Sequence, residues 1–349
     1  MSFLNSELHL NVPLTDLAVR FSPIEAGYLW SKLLPPKVVN KRSNFIRQIS
    51  KGQLLRIGDY RVGTGGQVQE IQFKVDPSQQ YACIDYAVEA VLRQTEDMEA
   101  DEILQYAQEQ IYTCMISMNG FVEYVTIKQT LRNPAILTQN FSLTPSEYWD
   151  NYNSQASDPI EDLKVACLKV LVATTKMPNM IVMHAMVWDR VQRHPRVLAR
   201  GGVHPTGNAI VSIAQFEDIL GVEHGTLCIT TQQYNTALED QTPVYSSFIG
   251  PDTIVAYCEP SSVRNFGLGQ SFMFQRASAG GANEIIKDLE APFVVYEFPD
   301  VGLKDPRGST VHRIVGGLDQ KVLVPEAGFL ITSCVDSSRT DWYGTALAA

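Results

Sequence analysis

The chain has 349 residues, of which 45% are hydrophobic and 19% charged, with a formal net charge of −10. Such a length makes one large domain or two to three smaller ones, and such a composition buries real cores, which excludes a disordered tail. The acidic balance argues against a protein whose work is to grip phosphates, and no apolar run reaches the roughly 18 residues that span a bilayer.

The opening, MSFLNSELHLNVPL, carries neither the basic flank nor the apolar block of a secretory signal, so a soluble protein made in the cytoplasm is expected. Residues 1–43 read as an arm. Pro13, Pro23, Pro35 and Pro36 break it, and only short stretches such as Ile24–Leu34 suit a helix.

Residues 44–92 are β-rich. Gln53–Val62 and Gln67–Val75 flank the turn Gly63-Thr64-Gly65-Gly66, and Ile71, Phe73 and Val75 alternate with polar residues, which predicts a long hairpin. A hairpin is marginal alone, so this one leans on a partner. Arg47, Lys51, Arg56 and Arg61 make its first strand basic. In an acidic chain, these residues fit the acidic surface of a neighbouring subunit better than nucleic acid.

From Glu96 to Leu131 no proline interrupts a helical pattern. Ile103, Ala107, Ile111, Met115, Met118, Val122 and Val125 recur three or four apart, Thr95 caps, and Glu96, Asp97, Glu99, Asp101 and Glu102 suit the positive end of the dipole. Such a helix is about 50 Å long at about 1.5 Å per residue, with Asn119-Gly120 as a place to bend or break. Glu99, Asp101 and Glu102 join the four basic residues as the expected subunit-interface set.

Residues 133–157 read as an irregular connector. An α/β block follows, opening on the helix start Asp158-Pro159-Ile160-Glu161, with Leu163, Ala166, Cys167, Val170 and Leu171 as the buried stripe. Next come a strand at Met180–Met183, a helix around Val187–Arg193 ended by Pro195, a helix from Ser212 to Leu220, and strands at Thr226–Thr231 and Thr253–Cys258. The last part returns to strands at Ser271–Arg276, Phe293–Phe298, Thr310–Val315, Lys321–Val324 and Phe329–Cys334, with Gly316-Gly317-Leu318-Asp319 as a turn. No internal repeat is present.

The motifs of chemistry are missing. No GxxxxGK[ST] or GxSxG occurs, and Gly63-Thr64-Gly65-Gly66 lies between strands, so it is a hairpin turn and not a dinucleotide fingerprint. Cys83, Cys114, Cys167, Cys228, Cys258 and Cys334 form no CxxC pair and read as reduced, buried thiols. His184, His194, His204 and His224 show neither HExxH nor i,i+4 pairing, and the carboxylates at 96–102 are explained by the helix dipole. The expectation is a structural protein, with no catalytic, cofactor-binding or metal-binding residues.

The order of elements resembles the Hong Kong 97 type major capsid proteins of tailed phages. There a proline-broken arm precedes an extended loop, a long spine helix, an α/β axial domain and a β-rich return to the peripheral domain. The matching segments here are an arm at 1–43, a loop at 44–92, a peripheral domain with spine helix at 93–157, an axial domain at 158–262 and return strands at 263–349 that end in the axial domain. PNMIVMHAMVWDRVQRHPRV looks like an axial strand leading into a short tryptophan-bearing helix, and STVHRIVGGLDQKVLVPEAGFLITSCV like the final peripheral strands. The resemblance implies an α+β fold and a protein that self-assembles into pentamers and hexamers of an icosahedral head. That head encloses double-stranded DNA without sequence-specific binding. Its implied partners are a separate scaffolding protein, a portal and a decoration protein, with no membrane. The alternatives are an encapsulin-like compartment shell and a cytosolic α/β enzyme built on 158–262.

Overall fold

The computed structural model describes residues 9–10, 14–15, 18, 23–24, 26–46, 48–49, 75–76, 79–93, 103–202, 210–238, 241–259, 267–274, 293–299 and 309–336. The chain opens with β1 (His9–Leu10), α1 (Trp30–Leu33), β2 (Pro36–Val39), β3 (Ser43–Phe45), β4 (Gln48–Ile49), β5 (Val75–Asp76), β6 (Gln80–Ala82) and β7 (Ile84–Arg93). Helix α2 (Ile103–Glu123) then passes into a π-helical segment, Tyr124–Leu131. The middle holds β8 (Asn140–Ser142), α3 (Pro159–Thr174), β9 (Met180–His184), α4 (Ala185–Gln192), α5 (Pro195–Arg200), α6 (Ile213–Leu220), β10 (Leu227–Thr230), β11 (Gln233–Asn235), β12 (Tyr245–Ser247) and β13 (Thr253–Ala256). Strands β14 (Gly269–Phe274), β15 (Phe293–Pro299), β16 (Ser309–Val322) and β17 (Gly328–Thr332) close it.

The first sheet is organised around β16. One edge of this strand pairs antiparallel with β7, from Ser309↔Arg93 to Leu318↔Ile84. The other edge is shared: β15 takes Thr310 to Gly316 and β14 takes Gly317 to Val322. The expected turn at Gly316-Gly317-Leu318-Asp319 is therefore overturned, and the two strands predicted around it are one. The physical reason is crowding. A Cβ on Gly317 would lie 3.1 Å from Phe274 Cβ and 3.3 Å from Asp85 Oδ1, so the glycine serves close strand approach and not chain reversal.

The start of the chain belongs to this sheet. β1 pairs antiparallel with β15 and β2 parallel with β14. Among the described residues of the stretch Ile24–Leu34, Trp30–Leu33 is helical. Antiparallel pairs β3–β6 and β4–β5 bring the two ends of the 50–74 stretch together. The predicted strand Gln53–Val62 and most of Gln67–Val75 lie outside the described residues.

The second sheet has the order β10-β9-β13-β17-β8. Every residue of β9 is buried, because both faces of the sheet are covered. Met180 and Val182 enter one core with α2 and the first sheet, while Ile181 and Met183 enter a second core under α3, α4, α5 and α6. The sheet is a wall common to both. β8 puts a short edge strand into the expected irregular connector.

The helices of this half start where their caps dictate. Asp158 accepts the Glu161 N–H at 3.2 Å ahead of Pro159, and Ser212 forms a capping box with Gln215. Pro195 opens α5 as well as following α4.

In the long helix, Ile111, Met115, Met118 and Val122 are buried as their spacing predicts. Asn119-Gly120 does not break it: α2 continues through both, and the Asn119 amide donates to the Met115 carbonyl at 2.8 Å. Regular α geometry ends at Glu123, one turn later. The stretch from Glu96 to Glu102 lies outside the described residues.

Candidate functional site

Among the described residues, one group of buried polar contacts lies where the long helix meets the arm. Glu123, fully buried, accepts the backbone N–H of Leu29 at 3.1 Å and that of Trp30 at 2.7 Å. One turn earlier Asn119 Oδ1 accepts the Trp30 indole N–H at 3.1 Å, and the Tyr28 hydroxyl donates to the Ile116 carbonyl at 3.1 Å. Three side-chain contacts along one helix face thus hold Tyr28, Leu29 and Trp30. Burial pushes the Glu123 carboxyl up to about 7, against the lowering effect of the Leu29 and Trp30 amides.

The same helix is tied at its far end to β16 of the first sheet and to the segments flanking β13 and β17 of the second. In the π-helical segment Thr126 and Thr130 turn their hydroxyls onto the Val122 and Val125 carbonyls, and the Gln320 amide from β16 donates to the Val122 carbonyl and to Thr126 Oγ1. Beyond it the Arg132 guanidinium meets Asp252 at 2.6 Å, with both side chains almost fully buried. Asp252 also accepts the Ser333 N–H, and Arg132 donates to the Phe248 carbonyl. A buried ion pair satisfied this way is worth little as net stability but costs several kcal/mol to break on one side, of order 3–5.

The surface carries exposed apolar side chains, some scattered and some in a stripe. Tyr112, Ile116 and Phe121 are exposed at separate points round α2, with Phe121 tilted against Tyr86 at 5.2 Å, and Ile84 and Val91 are exposed on opposite faces of β7. A stripe, Val165, Leu168 and Val172, runs along α3, with Val172 75% exposed. Sequence reasoning missed this stripe. The signal was there: residues 165–168 and 170–173 are apolar almost without interruption, too many for a helix with one buried face. Arg47, Lys51, Arg56, Arg61, Glu99, Asp101 and Glu102, the expected interface residues, all lie outside the described residues.

Two histidines cap helices, and the cysteines are buried or half-buried thiols. His184 and His194 are both N-caps: their Nδ1 atoms accept the Met186 and Arg196 N–H groups, each at 3.2 Å. The Nε2 of His194 sits 3.1 Å from Ser157 Oγ, which itself donates to the Tyr148 carbonyl. Burial lowers both imidazoles to about 4, as suits a ring that must stay neutral to accept. All six thiols are free, and burial raises each of them, Cys83 and Cys167 to about 11 and Cys258 to about 12, which leaves no activated nucleophile among them. Among the described residues no group of three or more His, Cys, Asp and Glu side chains could hold a metal ion, and no helix is long and apolar enough to cross a membrane.

No family model matches the sequence, and no curated protein does. Solved structures do match. A phage-related protein of Bordetella bronchiseptica shares 17% identity at a TM-score of 0.68, over 93% of this chain and 97% of that one. The encapsulin SrpI complex of Synechococcus elongatus shares 13% identity at a TM-score of 0.51, over 88% and 87% of the two chains. The capsid of cyanophage P-SCSP1u shares 11% identity at a TM-score of 0.50, over 95% and 92%. The chain has the Hong Kong 97 type capsid fold, mixed α and β, as the order of its elements predicts.

Proposed function

We infer that this chain, with the Hong Kong 97 type fold, is the major capsid protein of a tailed phage, which self-assembles through pentamers and hexamers into an icosahedral head enclosing double-stranded DNA. One observation carries the reading: the fold extends over nearly the whole of this chain and of shell subunits alike. The apolar stripe on α3 supports it, since obligate contacts between subunits cover such surface. The acidic balance fits a lining that lets packaged DNA slide and leave.

In this reading the chain divides into an arm at 1–43, an extended loop at 44–92, a peripheral domain from 93 with return strands from 263, and an axial domain at 158–262. Arg47, Lys51, Arg56 and Arg61 of the loop meet acidic surface on a neighbouring subunit, with Glu99, Asp101 and Glu102 as interface acids. A scaffolding protein, a portal and a decoration protein are its partners. The protein is made in the host cytoplasm and ends in the virion. It has no active site.

The likeness to an encapsulin favours a second reading, a compartment that encloses protein. Electron microscopy of the chain, expressed with and without neighbouring phage genes, tests the first claim: hollow particles or capsomers are expected. A well-folded strict monomer under every assembly condition sinks it. Nucleic acid inside particles from infected cells supports the phage head, and cargo enzymes in its place support the compartment.

A further inference from the structure

Strand β7 has one open side. Its 10 residues, Ile84–Arg93, pair without a bulge along one edge of β16, from Leu318↔Ile84 to Ser309↔Arg93. Among the described residues nothing pairs with its other edge. The other outermost strands of the two large sheets, β1, β2, β8 and β10, are two to four residues long. At about 3.3 Å per residue, β7 offers an edge of roughly 33 Å.

Proteins protect a long exposed edge with a proline, a lysine, a bulge or uncompensated charge. From Ile84 to Leu92 the strand reads IDYAVEAVL and has neither proline nor lysine. Its two acids are taken up by cations of the same chain: Arg42 meets Asp85 at 2.9 Å, and Arg313 of β16 donates to Glu89 at 2.6 Å. The edge is thus built to be paired, and a partner strand would add a ladder of backbone hydrogen bonds.

The strand is complementary to itself. Tyr86, Val88 and Ala90 pack half-buried against the core that α2 shares with the first sheet, and Asp85, Ala87, Glu89 and Val91 alternate with them on the exposed face. A two-fold axis normal to the sheet sets two such strands antiparallel and keeps each face on its own side, so even residues meet even and odd meet odd. Two registers then pair nearly the whole strand. With Glu89 on the axis, the two Glu89 carboxylates oppose each other, which is unfavourable. With Val88 on the axis, Ile84, 61% exposed, comes against the apolar Leu92, Tyr86 against Ala90, and each Glu89 against Ala87. The second register wins.

We propose that two copies of this chain join edge to edge through antiparallel β7 strands, with Val88 opposite Val88 on the two-fold axis, so that one sheet runs through both molecules. The pairing needs two copies only and does not depend on shell formation. Directly opposed residues of antiparallel strands have Cα atoms about 4.5–5.5 Å apart, which a disulfide spans, whereas diagonal ones at about 7–8 Å lie beyond its reach. Under mild oxidation of the full-length chain, Val88→Cys is therefore expected to give a linked dimer on a non-reducing gel, with the link mapped to position 88 by mass spectrometry. Ala87→Cys, on the exposed face, is expected to give none. Adding Ala87→Lys and Val91→Lys, both at exposed positions, should abolish the Val88→Cys link with circular dichroism unchanged. The same two lysines in the otherwise wild-type chain should remove the dimer in sedimentation. No dimer from Val88→Cys, as much dimer from Ala87→Cys, or a wild type that sediments only as a monomer overturns the proposal. Shells that form unaltered with both lysines overturn it too, and leave the capsid reading standing.

Discussion

Glu123 of the long helix and Trp30 of the arm are 93 residues apart, yet the carboxylate accepts the Trp30 backbone N–H at 2.7 Å, in full burial. The bond makes the arm helix part of the core around α2, although it lies in a stretch of chain broken by prolines.

Trp30 is 2% exposed and its indole N–H is matched to Asn119 Oδ1. Trp30→Ala should lower stability by about 3–5 kcal/mol through lost contact and a cavity. Trp30→Phe should cost less, because it keeps most of the apolar volume and strands only the Asn119 acceptor. Chemical-denaturation midpoints of the unassembled chain check the order.

The Glu123 carboxyl titrates at about 7 in the fold against its ordinary 4.5. A raised folded value means that the favourable contribution is complete below 4.5 and lost as pH rises through 7. Glu123→Gln, a neutral acceptor, should flatten the fall in stability between about pH 4.5 and about pH 7 and be the more stable protein at and above the upper end. Glu123→Ala should be worse at every pH by about 1–3 kcal/mol, since the Leu29 and Trp30 amides lose their acceptor.

The histidine caps act with the opposite sign. His184 and His194 are held at about 4, below the unfolded value of 6.5, so their contribution is present above 6.5 and lost as pH falls toward 4. His194→Asn keeps a capping acceptor and removes the titration. Its stability, measured against wild type from pH 7 down to about pH 4, should fall less steeply. An equal slope in the two proteins would count against a neutral His194 cap. Comparing variants isolates this effect from Glu123 and from Asp162, which burial raises to about 6 and which titrates in the same window.

Glycine spacing in the first sheet gives a graded test. A Cβ at Gly269 would run into the Lys321 backbone carbonyl and lie 3.0 Å from Val322 Cα, where nothing flexible can yield. At Gly317 the nearest atoms are side-chain atoms of Phe274 and Asp85. Gly317→Ala should cost about 1–3 kcal/mol and Gly269→Ala more. Thermal melts of the two variants side by side decide the order.

Much of the fold was legible because local rules decide it. Asp158-Pro159 and Ser212 through Gln215 announce their helices, and the Ile111, Met115, Met118 and Val122 spacing marks the buried face of α2. What escaped was set by distant partners. Gly316-Gly317 has the composition of a turn, and only the neighbouring Phe274 and Asp85 make it the middle of a strand. Glu123 looks like a solvated helix position until Leu29 and Trp30 are placed against it. On α3 only the buried face was read, and the exposed stripe of Val165, Leu168 and Val172 escaped, since apolar residues give no sign of which side is covered.

The pairing of β2 with β14 also has a consequence for synthesis. At about 5–20 residues per second, the roughly 230 residues between them take about 12–46 s to emerge from the ribosome. Throughout that interval Pro36–Val39 has no strand to pair with, and β8 waits in the same way for β17. Both sheets are therefore completed by late-made strands, and a nascent chain offers open edges for most of its translation. Such a chain needs shielding until its last third appears, and a prematurely terminated one is a natural seed for aggregation.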